Sequence, residues 1–318
     1  MSVRLVTGFL GAGKTTLLNT ILRDPKGVRY AVIVNELGEI GIDGALIADA
    51  GVDTVELSNG CVCCSLRGDL VTALEQLADA ARFDAILIET TGIAAPLPLA
   101  RDFASDRTLA EGFRLDGIVT VVDARSLLDR LADTPETQEQ ILVADHFVLN
   151  RGDQALEAVP KILGRLSRLN PFADVHHGLD AAAAALFGPD HVRRAPERLL
   201  AHHDHDHAHD HGVHGHAHGD PWVSASLTLD VPLDAMALTR WLDGALADHA
   251  HPILRAKGIF HVAGEQRRIV MQSVGGALDG APGSPWRDGE ARTSKIVLIG
   301  RRLDIDSLRA GFTAAAAA

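Results

Sequence analysis

The sequence predicts an α/β chain: a phosphate-binding unit built on a mostly parallel sheet, followed by a smaller α+β C-terminal domain. Three observations carry this. The run Gly8-Phe9-Leu10-Gly11-Ala12-Gly13-Lys14-Thr15 fills every fixed position of the G-x-x-x-x-G-K-[ST] pattern, between an apolar stretch and a helical one. Short apolar stretches then alternate with helical ones to about residue 180. From about Trp222 the rhythm changes to strand-rich patterning around a single helix.

Taken in order, Val3-Arg4-Leu5-Val6-Thr7 is an apolar run suited to a buried strand, and Thr15 to Leu22 reads as the helix after the loop. Gly8, Gly11 and Gly13 let backbone N–H groups turn inward on a phosphate without a Cβ in the way. Lys14 supplies a point charge for the β- and γ-phosphates and Thr15 a hydroxyl for Mg²⁺. Ala12 and Thr16 complete the cradle, and the helix N-terminus adds its dipole. This is a P-loop NTPase signature. Further strands are expected at Tyr30 to Asn35, Thr54 to Leu57, Phe83 to Thr90, Asp116 to Asp123 and His146 to Asn150. Helices are expected over Asp69 to Ala81 and Asp153 to Leu169.

The rhythm breaks over residues 181 to 220, which hold an alanine run, Pro and Gly, and then a His-rich tract. The expected division is therefore a nucleotide domain over 1–180, a flexible linker over 181–220 and a second domain over 221–318. In that second domain, strands are expected at Val223 to Asp230, Ile253 to Ala263, Arg268 to Val274 and Ser294 to Ile299, with a helix near Asp234 to Asp248. A mostly antiparallel sheet follows.

Composition narrows the function classes. A formal net charge of -12 argues against nucleic acid as a partner, which generally needs a basic face. The chain enters its first strand at Val3 without a charged leader, and no apolar stretch reaches membrane-spanning length. A soluble, cytoplasmic protein is expected. Its three cysteines fit a reducing compartment, where clustered thiols bind metal or do redox chemistry.

Two more segments suit a nucleotide site. Ile86-Leu87-Ile88-Glu89-Thr90-Thr91-Gly92 is an apolar strand ending in an acid and a glycine. Glu89 would face the Mg²⁺ shell, and the Gly92 N–H the γ-phosphate. Leu149-Asn150-Arg151-Gly152-Asp153 stands where guanine-nucleotide proteins carry N-K-x-D, with Asp153 accepting from the base. Arg151 replaces the Lys and can stack on a base, which loosens the preference for GTP over ATP; an N-cap role for Asp153 is the alternative.

All three cysteines lie in Cys61-Val62-Cys63-Cys64. Thiolates select Zn²⁺, Cu⁺ and similar ions, and Cys61 and Cys63 project to one side of an extended segment. Three sulfurs leave a tetrahedral ion one ligand short, which suits a metal meant to leave; a closed site needs a ligand from elsewhere. Packing as small hydrophobes and a Cys61–Cys64 redox pair are the alternatives. Nine of the 16 histidines fall between His202 and His218, in a tract fit for metal capture or for a solvated linker. His146 and His261, on expected strands, read as packing residues.

Four ordered motifs now give a specific resemblance: Gly8 to Thr16, Asn35-Glu36-Leu37-Gly38-Glu39-Ile40-Gly41-Ile42-Asp43, Glu56 to Cys64, and Glu89-Thr90-Thr91-Gly92. They resemble the CobW family of metal-handling GTPases, relatives of the hydrogenase and urease nickel-insertion GTPases. Arg255-Ala256-Lys257-Gly258, Gln272-Ser273-Val274-Gly275, Trp286 and Lys295 to Gly300 look like that family's C-terminal domain. The resemblance implies a P-loop G domain that hydrolyses GTP with Mg²⁺ and binds a divalent transition metal at Cys61, Cys63 and Cys64 with Glu36; thiolate chemistry makes zinc the default, with cobalt, from the resemblance, or nickel as alternatives. It further implies delivery to a client metalloprotein, nucleotide sensing by segment 36–43, and a homodimer as one option. Lys14, Thr15 and Glu89 would be the catalytic set. The rival classes are a P-loop ATPase or kinase with a regulatory metal site, and a non-enzymatic metal buffer.

Overall fold

A computed structural model describes residues 1–35, 54–57, 67–80, 82–189, 222–287 and 289–317. Two compact units result, Met1–Arg194 and Ala195–Ala318.

The first unit runs β1 (Ser2–Thr7), α1 (Lys14–Arg23), β2 (Tyr30–Asn35), β3 (Thr54–Leu57), α2 (Arg67–Asp79), β4 (Ala85–Glu89), α3 (Leu97–Ser105) and α4 (Arg107–Gly112). It continues with β5 (Arg114–Asp123), α5 (Leu127–Asp133), α6 (Pro135–Leu142), β6 (His146–Asn150), a 3-10 turn (Gly152–Gln154), α7 (Val159–Leu169), β7 (Asp174–His177) and α8 (Leu179–Leu186). Its seven strands form one sheet in the order β3-β2-β4-β1-β5-β6-β7, with every pairing parallel. All five residues of β4 are buried, as expected of a strand covered on both faces. α1 contributes Leu17, Leu18, Ile21 and Leu22 to the core on one side, against Val6, Val32, Leu87 and Val121. Each such side chain adds roughly 2 kcal/mol by leaving water.

Two expectations need correction here. The alanine run does not open a linker: it forms α8, whose Ala182, Ala183 and Leu186 join the same core as α1. The helix expected from Asp153 starts at Val159 instead, after the 3-10 turn. Pro160 explains the delay, because proline fits a helix's first turn but breaks its interior.

The second unit holds β8 (Trp222–Leu229), α9 (Ala235–Leu246), β9 (Ile253–Phe260), β10 (Arg267–Val274), β11 (Ala277–Pro285), β12 (Ser294–Arg301) and α10 (Ile305–Ala314). Its antiparallel sheet has the order β11-β10-β9-β12-β8. Both helices begin on an aspartate cap: Asp234 accepts from Ala237 N at 2.8 Å and Asp304 from Ser307 N at 3.0 Å. Leu227, Leu238, Leu242, Phe260, Ile296, Leu298 and Phe312 form the core, where the Trp241 and Phe312 rings lie 5.0 Å apart. β11, Ala-Leu-Asp-Gly-Ala-Pro-Gly-Ser-Pro, has turn composition, yet it pairs along β10 as an edge strand, where proline is tolerated. Among the described residues no helix is long and apolar enough to cross a membrane.

Candidate functional site

The phosphate loop leaves the C-terminal end of β1, between β4 and β5, so residues from three strand ends can converge on it. Gly8 and Gly13 have φ of 134° and 108°, and neither has room for a side chain. A Cβ on Gly8 would sit 2.2 Å from the Val121 carbonyl oxygen, and one on Gly13 2.5 Å from Asn150 Nδ2. α1 then starts at Lys14 with no side-chain cap, leaving its first-turn N–H groups available to an anion. Lys14 is buried, and its ammonium donates to the carbonyls of Gly8 at 3.0 Å and Phe9 at 3.4 Å.

The Thr15 hydroxyl lies 3.1 and 3.4 Å from the two Glu89 carboxylate oxygens. Glu89 ends β4 and is only 4% exposed. Just beyond it, Thr90 N donates to Val6 O at 3.0 Å and Thr90 Oγ1 to Thr7 Oγ1 at 2.9 Å, which seals the β4 end against β1. Gly92 packs directly on the phosphate loop: a Cβ there would be 2.5 Å from Leu10 N. A hydroxyl and a carboxylate side by side are hard oxygen donors, and this pair fits Mg²⁺.

The β6 end reaches the loop as well. Asn150 Nδ2 donates to Ala12 O at 2.8 Å. Arg151, in the left-handed region with φ 57°, donates through Nη1 to Gly11 O at 2.9 Å and to Asp123 Oδ2 at 2.8 Å. Its guanidinium thus ties the end of β6 to the phosphate loop and to Asp123. Burial disfavours ionised Asp123, but hydrogen bonds and charge from Arg125, with the Arg151 charge, hold its carboxyl below the usual range. Asp123 was not singled out from the sequence, although β5 ends in Val-Val-Asp, the same signal as the Ile-Glu end of β4.

Gly8 to Thr15, Glu89, Gly92 and Asn150 are therefore brought together. Thr16 is exposed on α1, and Asp153 is exposed on the neighbouring 3-10 turn. Cys61, Cys63, Cys64, Glu36, segment 36–43 and the His202 to His218 tract lie outside the described residues. Among the described residues no cluster of three His, Cys, Asp or Glu side chains is placed to hold a metal ion. His146 and His261 pack against His176 and Trp286, with ring centroids 5.4 and 6.0 Å apart.

Comparison with known proteins decides the family. Residues 2–177 match the family described as CobW/HypB/UreG, nucleotide-binding domain, and residues 222–316 match the cobalamin synthesis protein cobW C-terminal domain. The chain belongs to the CobW family. Among its CobW-family relatives is zinc chaperone YjiA of Escherichia coli, 35% identical over 98% of both chains. Zinc chaperone CobW of Sinorhizobium is 32% identical over 98% of this chain and 96% of that protein. A crystal structure of zinc-bound YjiA GTPase from E. coli superposes with a TM-score of 0.73 at 29% identity, covering 100% of this chain and 99% of the other.

Proposed function

We propose that this CobW-family chain is a GTP-hydrolysing metallochaperone that binds a transition metal, zinc first and cobalt as the alternative, and delivers it to a client protein. The observation that carries the reading is the Thr15–Glu89 pair at the mouth of an uncapped phosphate-loop helix. Full-length relatives named as zinc chaperones add support.

In this reading the loop N–H groups and Lys14 hold the β- and γ-phosphates, and Ala12, Thr16 and the Gly92 N–H complete the cradle. Bound Mg²⁺ would neutralise charge developing on the phosphate oxygens, with Thr15 and Glu89 holding it. Asn150 would orient the loop beside guanine and Asp153 accept from the base. Burial of Lys14 and Glu89 strengthens the interactions their charges would make with the nucleotide and Mg²⁺ relative to water. Cys61, Cys63 and Cys64, with Glu36, would bind the cargo metal, and segment 36–43 would report the γ-phosphate to them. The division into a nucleotide domain, a His-rich linker and a C-terminal domain belongs to the same proposal, as do a cytoplasmic location for this chain and a homodimer as one option.

The test compares Zn²⁺ affinity in the presence of a non-hydrolysable GTP analogue and of GDP. A difference between them supports coupling of metal to nucleotide, and equal affinities overturn it. Competition between ATP and GTP separates this reading from an ATPase or kinase.

A further inference from the structure

The loop after Glu89 is gripped by a helix that no motif marks. On α6, Gln140 is 1% exposed, and its side-chain amide donates to the carbonyls of both Gly92 at 3.2 Å and Ala94 at 3.1 Å. One N–H serves each carbonyl, so the amide's two donors are both used. The residue before it, Glu139, takes the far end of the same loop, where its Oε1 accepts from Leu97 N at 3.0 Å.

α6 is itself fixed from two sides. Thr120 Oγ1 on β5 donates to Gln140 O at 2.8 Å. At the helix C-terminus, Asn170 Nδ2 lies within hydrogen-bonding distance of the carbonyls of Ile141, Leu142 and Ala144, at 2.8, 3.3 and 2.9 Å. Gly92 is meanwhile pressed on Leu10 of the phosphate loop, and Thr90 is bonded to β1. Residues 91 and 92 are therefore held at both ends: Gln140, 48 positions away, fixes the Gly92–Ile93 peptide through its carbonyl, and Ala94 N donates to Thr91 O at 3.0 Å in the peptide that carries the Gly92 N–H.

We infer that Gln140 is a positioning residue for the γ-phosphate: it sets the Gly92 backbone so that its N–H meets the phosphate that distinguishes GTP from GDP. This rests on the GTPase reading above. Should the loop withdraw, a buried amide would lose both acceptors, which biases the loop toward its docked position.

Two near-isosteric variants test the inference. Gln140→Met removes both donors and keeps the volume. It should weaken a non-hydrolysable GTP analogue by about tenfold while GDP affinity stays within about twofold, the size expected for one buried hydrogen-bond partner lost. Gln140→Glu places a carboxylate against two carbonyl oxygens, and only its protonated form can donate. Its GTP turnover should therefore recover toward wild type as pH falls, in a range where wild-type turnover does not rise. Asp123 and Arg130 line the same cavity as Gln140, so the wild-type profile is the control.

Equal weakening of analogue and GDP, or a Gln140→Glu profile parallel to wild type, would show a purely structural role and overturn the inference. Wild-type protein that neither binds GDP nor turns over GTP would overturn the GTPase reading itself.

Discussion

Asn150 at the end of β6 donates its side-chain amide to the carbonyl of Ala12 at 2.8 Å, joining the phosphate loop to a strand 138 positions further along the chain. The approach is close enough that Gly13 has no room for a Cβ between them. Replacing Asn150 with Ala should weaken GTP and GDP alike, by about tenfold, since the loop carbonyl loses its donor whichever nucleotide is bound. Competitive titration with a fluorescent guanine nucleotide measures it. Selective loss of GTP alone would contradict this role.

Thr15 and Glu89 make a different prediction. Thr15→Ser keeps the hydroxyl and should retain Mg²⁺-dependent tightening of GTP, while Thr15→Ala should lose it. Hydrogen bonds to charged groups are worth about 1.5–3 kcal/mol, so the loss should be about 10- to 100-fold in affinity. GTP binding with Mg²⁺ and with a chelator is the comparison. Identical Mg²⁺ dependence in both variants would remove Thr15 from the site.

The loop glycines should rank by space. Gly8→Ala meets the Val121 carbonyl oxygen at 2.2 Å and also needs a φ of 134°, whereas Gly11→Ala meets no atom within 4 Å at φ 73°. The first should cost roughly 3 kcal/mol or more, and the second about 1 kcal/mol. Urea midpoints of the two variants, measured without nucleotide, check the order.

Alkaline pH should act through one phenol. Burial pushes Tyr30 up to about 12, with Arg4 lowering it and Asp84 adding to the rise, against an ordinary value of 10.0. An acid whose folded value is raised keeps its proton longer in the native state. Its stabilising contribution is thus fully present below pH 10 and is lost as pH climbs toward 12, a swing of roughly 2–3 kcal/mol. Tyr30 is the chain's one tyrosine, so tyrosinate absorbance reports it alone. Ionisation near pH 10 in the folded protein would contradict this burial effect.

What the sequence revealed depended on how locally each feature is encoded. β2, β3 and β6 fall on the expected residues because β2 and β6 are short apolar runs and the four residues of β3 alternate polar with apolar. Glu89 and Gly92 were legible only beside the phosphate loop, because a buried strand that ends in Glu at a turn is commonplace by itself. Gln140 was not, since a glutamine on a short helix looks like any solvated residue until tertiary packing buries it. α8 was missed because alanine and glycine resemble a linker in composition, and only contact with α1 shows the run to be core. β11 failed for the opposite reason: its Pro and Gly are excluded from central strands but not from an edge. Arg151 stood out only as a departure from N-K-x-D, because a motif gives a residue's position and not its partners, here Gly11 O and Asp123.

The Trp241–Phe312 packing has an optical consequence. All three tryptophans, Trp222, Trp241 and Trp286, belong to the second unit, and the first contains none. Selectively excited indole emission therefore watches only the unit that lacks the phosphate loop. A nucleotide bound at the phosphate loop changes that signal only where its effect reaches the second unit. The native protein thus carries its own fluorescent gauge of communication between its two halves, with no label attached.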